Sequence, residues 1–206
     1  MWHNTSMSKT IAFIDGENFR HKVEEVLKTG HKDISSVDFA EIDLLGLLDK
    51  VLKKYRIFEK RYYGAKIRQH SDTPKKSQEL IVLQRRLKTN LEKQGFTYII
   101  AGNVRAQSVH VDGATKLIFR EKGVDVRIAV DLVSLACDKK MNTAILCSSD
   151  SDLQPAITEL RKRKVKIIYL GFQISPNKGL TFTTHETILF RNHEILDVCP
   201  KKTRKP

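Results

Sequence analysis

Cysteine is scarce in this chain of 206 residues, and its spacing excludes two classes of protein. The three cysteines, Cys137, Cys147 and Cys199, form no C-x-x-C pair and are odd in number. This pattern argues against a disulfide framework and against a zinc knuckle. Because free thiols persist in reducing compartments, we expect a cytoplasmic protein.

Long apolar runs are also missing, since no stretch approaches the roughly 18 apolar residues that a membrane-spanning helix requires. We therefore expect no membrane partner. Acidic residues are in the minority: 37 Lys and Arg against 24 Asp and Glu give a formal net charge of +13, spread over the whole chain. A surplus of this size favours a polyanionic partner, so nucleic acid is the partner that we expect.

The length predicts one domain, because 206 residues with 40% hydrophobic content can bury a core but leave little room for a second one. Residues 1–9 have neither the charged start nor the apolar stretch of a signal peptide, and Met7 is a candidate natural start behind a non-native leader. We expect a leader at 1–9, the domain at 10–198 and a solvated basic tail at 199–206.

Short apolar runs alternate with segments of helical periodicity. Five runs have the length and the low polar content of strands buried on both faces: Thr10–Ile14, Ile57–Tyr63, Thr97–Ala101, Ala144–Cys147 and Lys166–Leu170. Between them, apolar residues recur at helical spacing in segments that begin at Leu44, Leu80 and Ile128. This alternation predicts an α/β fold with a mostly parallel central sheet and helices on both faces.

Three local features refine this prediction. Gly95 is expected just past the end of the second helix, and Pro155 is expected in the first turn of the helix that follows Cys147. The segment Arg105–Arg120 has no strong period, and we expect a β-hairpin or a loop beside the sheet there.

Acidic residues follow two of the apolar runs and open one helix. Asp15 and Asn18 come after the first run, and Ser149 and Asp152 come after the fourth. Asp125 stands where the third helix begins. A structural interpretation is available for each: Asp15 and Asn18 form a turn, Ser149 and Asp152 form a capping box, and Asp125 is an N-cap.

The functional interpretation rests on where these groups meet. Ligands of parallel sheets bind outside the carboxyl ends of the strands, so the three acidic groups converge on one edge. Asp150 and Asp152, with three serines around them, exceed the needs of one cap. Crowded carboxylates repel one another unless a divalent cation neutralises them. Oxygen ligands without a nearby His or Cys favour Mg²⁺ or Mn²⁺ over zinc. This chemistry suits a metal-activated water that attacks a phosphodiester.

Asp131 is a separate case, because it lies inside the third helix between Val130 and Leu132. A carboxylate there is unfavourable unless something satisfies it. Asp131 is about 240° round the helix from Asp125, so the two do not share a face. We expect Asp125, at the start of the helix, to be the one that contacts a metal.

Basic and aromatic residues near the second strand are candidates for substrate contact. We expect Arg61, Lys66 and Arg68 to follow that strand at the carboxyl edge and to contact phosphates. Tyr62 and Tyr63 are candidates for stacking on a base, with one of the pair in the core. Isolated histidines seldom mark a site, so we expect structural roles for the two histidines that stand out, His110 and His185.

Three segments resemble the NYN domain family, whose members are ribonucleases of the Rossmann-like PIN fold. Ile11–Phe19 carries the family's Asp-x-x-Asn pattern, Lys122–Ala136 resembles its acidic helix, and Ala144–Ile157 resembles its strand-D-x-D-helix block. The segments follow the family's order, and Arg161–Gly171 continues the pattern into the last parallel strand. The resemblance covers roughly Thr10 to Gly171.

The resemblance implies a ligand set and a set of supporting residues. Four carboxylates would surround Mg²⁺ or Mn²⁺: Asp15, Asp125, Asp150 and Asp152. Asn18 would orient a ligand or a phosphate, and Asp131 would support the metal ligands from behind. The chain departs from the family at Ser149, where Gly is frequent, and at Leu153, where an aromatic is frequent. Neither change removes a carboxylate, but Ser149 would narrow the pocket beside the substrate.

A metal-dependent endoribonuclease, with RNA as its partner, is the function that the resemblance implies. The main alternative is a nucleic-acid-binding module with a weak or inactive NYN site. The intact Asp15, Asp125 and Asp150 favour the enzyme. A phosphatase with an aspartyl nucleophile is disfavoured, because Asp15 has no second Asp two residues later.

Overall fold

The computed structural model describes residues 9–30, 33–70, 73–111 and 114–200, with the side chains of all of these except residues 105–120. Residues 1–8 of the expected leader, residues 201–206 of the expected tail and the His110 side chain lie outside this range. Along the described chain, no helix is both long enough and apolar enough to cross a membrane.

A central sheet of seven strands organises the described residues. The strands are β1 Thr10–Asp15, β2 Ile57–Lys66, β3 Thr97–Val111, β4 Ala114–Lys122, β5 Thr143–Cys147, β6 Lys166–Phe172 and β7 Glu186–Phe190. Their order across the sheet is β4-β3-β2-β1-β5-β6-β7. Neighbouring strands are parallel except for the antiparallel pair β3 and β4. The progression of strands reverses at β1, which pairs with β2 on one side and β5 on the other.

Helices cover both faces of the sheet. In the described chain they are α1 Gly16–Thr29, α2 Leu44–Val51, α3 Pro74–Lys93, α4 Val124–Cys137, α5 Gln154–Lys162, α6 Lys178–Thr183 and α7 Asn192–Val198. Short 3₁₀ turns occupy Ile34–Ser36, Phe39–Glu41 and Ser151–Leu153. One core cluster lies between the sheet and α1, α2, α3 and α7, and the other lies between the sheet and α4, α5 and α6.

Strand β1 supplies side chains to both clusters, because successive strand residues point to opposite faces. Ala12 and Ile14 belong to the α1 side, whereas Ile11 and Phe13 belong to the α4 side. All six residues of β1 are buried. Truncating a buried Phe to Ala typically costs about 3–5 kcal/mol, so Phe13 alone contributes a large share of a marginal stability. The end of β1 is therefore presented from the buried centre of the sheet.

The α/β fold predicted from the sequence is confirmed, and all five predicted strands are present. Gly95 has a φ of +80° and its N–H donates to the Glu92 carbonyl, as expected of a residue just past the end of α3. Pro155 lies in the first turn of α5, as predicted. The helices α6 and α7 and the strand β7 were not predicted. Most of β7 is only half-buried, so its sequence lacks the continuous apolar run of a central strand.

The irregular segment Arg105–Arg120 belongs to a β-hairpin, the first of the two alternatives. β3 and β4 pair antiparallel along most of their length, with Val111 opposite Ala114 at the tip and Asn103 opposite Lys122 at the base. β4 is therefore the antiparallel edge of an otherwise parallel sheet, and its last residues lead directly into α4.

Candidate active site

Two neighbouring strands deliver acidic segments to the same edge of the sheet. β1 and β5 are parallel, with Ile14 opposite Cys147, so the chain leaves both strands side by side. Asp15 ends β1, and Ser148–Asp152 follow β5. The third segment arrives from β4, whose carboxyl end leads into α4 and Asp125.

Three of the predicted carboxylates come together. Asp125, Asp150 and Asp152 each offer an oxygen, and these oxygens all lie within 4.8 Å of one another. Mg²⁺ binds oxygen at about 2.0–2.1 Å, which separates opposite ligands by about 4.1 Å. The spacing therefore fits one small divalent cation after a slight closure. Asp125 and Asp150 are half-buried and Asp152 is exposed, so this edge is open to a substrate.

A 3₁₀ turn positions Asp150 and Asp152. Asp150 is its N-cap, and its Oδ1 accepts a hydrogen bond of 2.8 Å from the backbone N–H of Asp152. The backbone N–H of Asp150 donates to Ser148 Oγ at 3.1 Å. The expected capping box of Ser149 with Asp152 is wrong, because the turn begins one residue later. Asp150 satisfies that turn and still has its second oxygen available.

Asp125 was expected to be the N-cap of α4, and this prediction is wrong. The N-cap is Gly123, whose φ of +96° is one that residues with a side chain rarely adopt. The helix therefore begins at Val124, whose N–H donates to Glu121 Oε1 at 2.9 Å. Asp125 sits within the first turn, where the helix dipole favours a negative charge. Because it caps nothing, its carboxylate is free to face the other acids.

Close backbone packing between β3 and the end of β4 positions the start of α4. Gly102 has a φ of +71°, and a Cβ there would lie 2.2 Å from the carbonyl oxygen of Lys122. Gly123 stands next to it, with a Cβ position only 3.5 Å from the Gly102 Cα. This pair of glycines lets β3 and the end of β4 approach closely enough to bring the start of α4 to the carboxyl edge.

Asp15 lies behind the group of three carboxylates rather than within it. Its side chain is buried, and it accepts hydrogen bonds of 3.1 Å from the Asn18 N–H and from Ser148 Oγ. Burial raises the pKa of Asp15; the two hydrogen bonds lower it in part, and the charges of Asp150 and Glu17 raise it further. A cation near Asp15 and Asp150 would relieve this unfavourable burial of charge.

Glu121 and Glu17 complete the acidic edge, and neither was predicted from the sequence. Burial raises the pKa of Glu121, the bond from Val124 lowers it in part, and the charges of Asp15, Asp125 and Glu17 raise it again. Both glutamates stand two to four residues from a selected aspartate, which is the signal that could have found them.

Asparagine side chains hold the loop that carries the acids. Asn18 Oδ1 accepts a hydrogen bond of 3.0 Å from the Ser149 N–H, and Asn177 Nδ2 donates to the Ser149 carbonyl at 2.8 Å. Asn18 thus fixes the loop after β5 to the start of α1. Ser149 is held through its backbone, and Asn177 was not singled out from the sequence.

Asp131 is buried inside α4, and its charge is fully matched. It accepts from Arg127 Nε at 2.8 Å, from Tyr63 Oη at 2.9 Å and from Arg61 Nη1 at 3.3 Å. Arg61 also pairs with Glu59 at 2.7 Å. The prediction that Arg61 follows the second strand is wrong, because β2 continues to Lys66 and Arg61 lies in its middle, bound to two carboxylates.

The remaining candidates divide between surface and core. Lys66 is the last residue of β2 and Arg68 follows it; both are exposed, and neither has an ion-pair partner among the described residues. Tyr62 and Tyr63 are both buried, so the prediction that only one of them belongs to the core is wrong. His185 accepts from the Ile167 N–H through Nδ1 at 3.0 Å, a structural role as predicted.

The family model of the NYN domain matches residues 9–188, and the chain therefore belongs to the NYN domain family. NYN domains are generally nucleases, which act on nucleic acid. No curated protein matches the chain. A crystal structure of a protein of unknown function from Vibrio parahaemolyticus is similar in fold, with 18% sequence identity, a TM-score of 0.49, and coverage of 90% of this chain and 95% of that chain. No functional conclusion follows from that likeness.

Proposed function

We propose that this protein is a metal-dependent endoribonuclease that hydrolyses phosphodiester bonds at the carboxyl edge of its sheet. The observation that carries the proposal is the convergence of Asp125, Asp150 and Asp152, with oxygens within 4.8 Å, in a member of a nuclease family. The formal net charge of +13 of the whole chain supports a polyanionic substrate.

Asp125, Asp150 and Asp152 would hold Mg²⁺ or Mn²⁺, both of which prefer oxygen ligands. When bound, such an ion activates water as a nucleophile and stabilises negative charge on phosphate oxygens. Asp15 contributes charge from behind and accepts the hydrogen bond of Ser148, which in turn accepts from the Asp150 N–H. Asp15 thus fixes the metal-binding loop as well as strengthening its attraction for a cation.

Lys66 and Arg68 would hold the strand. Both are exposed just beyond the end of β2, and neither is paired with a carboxylate among the described residues. Asn18 and Ser149 would position substrate through the loop that they fix. Arg61, which we predicted to contact a phosphate, is better suited to a supporting role, because Glu59 and Asp131 already occupy its guanidinium. RNA as the substrate and a cytoplasmic location stay predictions.

The test is a time course with labelled RNA and labelled DNA of the same sequence, in Mn²⁺ and in chelator. We expect internal cleavage of RNA in Mn²⁺, no cleavage in chelator, and none by Asp150→Asn. Asp197→Asn, an exposed acidic residue in α7 paired with Lys50, is the matched control and is expected to cleave at the wild-type rate. Tight RNA binding without cleavage under any metal would favour the binding module instead.

A further inference from the structure

A cavity of about 170 Å³ lies beside the carboxylates, between α1, α3 and the ends of β2 and β3. Glu17 and Glu121 line it, and so do Gly16 and Val124, the neighbours of Asp15 and Asp125. The cavity is therefore continuous with the acidic edge. Leu83, also in its lining, is 37% exposed, so the cavity opens to solvent.

The lining of this cavity includes both aromatic and aliphatic side chains. Tyr62 and Tyr98 are stacked, with ring centroids 5.4 Å apart and an interplanar angle of 27°. α3 contributes Leu80 and Leu83 to the same lining. Gly64 lies next to Tyr98, and a Cβ there would lie 2.4 Å from the tyrosine Oη, so a larger residue would displace the ring. Stacked rings together with leucine side chains suit a flat ring as the ligand.

The charge of the lining disfavours a phosphate as the occupant. Glu17 and Glu121 are both acidic, whereas the cationic lining residue among the described residues, Arg20, is already paired with Glu17 at 2.7 Å and with Glu24 at 2.9 Å. A phosphate would be repelled here and attracted to a cation or to Lys66 instead. A neutral ring attached to that phosphate would not be repelled.

The size of the cavity narrows the choice of ring. An apolar protein cavity of roughly 150 Å³ holds one benzene molecule, which is a single six-membered ring. A volume of about 170 Å³ is thus matched by a pyrimidine and is small for the two fused rings of a purine. Aromatic side chains stack on every base, so stacking alone does not distinguish one base from another. Discrimination between a pyrimidine and a purine would come from the size of the cavity.

We propose that this cavity binds a pyrimidine base of the substrate strand, next to the phosphodiester held at Asp125 and Asp150. The inference rests on the proposed function, because it assumes that a nucleic-acid strand crosses this edge. It adds a sequence preference to that function: the enzyme would cut beside pyrimidines. Tyr98, which is half-buried and stacked on the buried Tyr62, would be the ring against which the base stacks, and Leu83 would close the other side.

The test measures binding in chelator, where no metal-dependent cleavage occurs. Fluorescence anisotropy would give the affinities of labelled hexamers of uridine, cytidine and adenosine for three proteins. Leu83→Trp fills the cavity from a partly exposed position. Val82→Trp is the matched control, because Val82 is a neighbour on α3, is 45% exposed and does not line the cavity.

We expect the wild type and Val82→Trp to bind uridine and cytidine hexamers at least about fivefold more tightly than the adenosine hexamer, since stacking one base contributes that much or more. Leu83→Trp should reduce the ratio to near one. The ratio of the pyrimidine to the adenosine affinity is compared between the three proteins. The stacking of bases within each free hexamer is the same for all three and therefore cancels. Equal affinity of the wild type for all three hexamers, no binding at all, or the same loss in Val82→Trp would each overturn the proposal.

Cleavage in Mn²⁺, assayed separately, distinguishes this inference from the proposed function. A wild type that prefers pyrimidines but never cleaves would keep the cavity assignment and overturn the nuclease. A wild type that cleaves RNA with no preference in either assay would keep the nuclease and overturn the cavity. The comparison of hexamers on the wild type needs no variant, so the test does not depend on the folding of Leu83→Trp.

Discussion

Carboxylates at the two edges of the sheet are in opposite electrostatic environments. At the amino edge, Glu186 begins β7 and is bonded to Lys54, Tyr55 and Lys166, whose charges and hydrogen bonds lower its pKa to about 2. At the carboxyl edge, Asp15 has no cationic partner among the described residues, and burial together with neighbouring acids raises its pKa.

This contrast separates a carboxylate with a structural role, Glu186, from a group of acids whose charge is left for a ligand to neutralise. Glu186 satisfies its charge with the protein's own lysines, so a metal would gain nothing by binding there. The acids at the carboxyl edge repel one another even though the chain carries a surplus of 13 positive charges. Nothing in the composition prevents lysines from standing among them. The uncompensated charge is what a site for a cation requires.

The largest expected effect is on cleavage. Asp150→Asn removes a charge from the group of three carboxylates, and we expect the rate of RNA cleavage in Mn²⁺ to fall by more than about 100-fold, beyond the 10–100-fold typical of residues that only support metal ligands. Asp131→Asn should fall within that smaller range. Glu186→Gln removes the same charge at the other edge and should cut at the wild-type rate. An equal loss of rate in Asp150→Asn and Glu186→Gln would show that the two edges do not differ in this way.

The next effect is on thermal stability. Mn²⁺ at one hundred times its Kd should raise the free energy of unfolding by about 2.7 kcal/mol, because it binds only the folded chain. Thermal melts with and without Mn²⁺ measure the shift. The shift should disappear in the double variant Asp125→Asn with Asp150→Asn and persist in Glu186→Gln. A full shift in the double variant would place the ion elsewhere.

A smaller effect concerns salt. For single strands, log K falls with log salt at a slope of about −0.7 per phosphate neutralised. Replacing Lys66 and Arg68 by Ala should therefore make the slope shallower by up to about 1.4, measured by titration in chelator. Lys53→Ala with Lys54→Ala removes two charges at the amino edge and should leave the slope unchanged. If both pairs flatten it equally, binding is a property of total charge and not of one edge.

The smallest effect is on pH-dependent stability, and its sign differs between the edges. A lowered pKa means that Glu186 stabilises the fold above pH 4.5 and that this contribution is lost as pH falls towards 2. Glu186→Gln should cost at most about 1 kcal/mol at pH 7, since the group is partly exposed to solvent. The loss should shrink at pH 3, as measured by urea unfolding.

Asp15 should behave in the opposite way without metal. Because its pKa is raised, its contribution is present below pH 3.8 and is lost as pH rises through the folded value. Asp15→Asn, which keeps the shape, should therefore be more stable than the wild type at pH 7 in chelator. A destabilised Asp15→Asn under those conditions would show that its hydrogen bonds outweigh the cost of its buried charge.

The fold could be predicted because its main strands are short apolar runs, and those runs end where the acids begin. The positions of Asp15 and Asp150 follow from that rule, whereas Asp125 was placed by the start of its helix. Features that depend on pairing across strands could not be predicted. Tyr62 and Tyr98 stand in register only because β2 and β3 are parallel neighbours, and their separation in the chain hides the pair.

Local rules failed where tertiary contacts override them. The start of α4 depends on Gly123 in a left-handed conformation and on Glu121 at the end of a long hairpin, neither of which a capping rule for Asp125 includes. Arg61 was assigned to the sheet edge although the predicted strand, Ile57–Tyr63, already contained it. Because β2 continues to Lys66, Arg61 lies in the middle of the strand and Lys66 at its end.

The reversal of strand order at β1 has a kinetic consequence. Asp15 and Ser148 meet across 133 residues of sequence, so the acidic edge is complete only after β5 has docked beside β1. We expect contacts between residues this far apart to form late, since closing a long loop costs entropy. Stabilising contacts that are absent from the transition state slows unfolding without speeding folding. A cation bound at this edge should therefore slow unfolding, which lengthens the lifetime of the native chain, and leave the refolding rate unchanged.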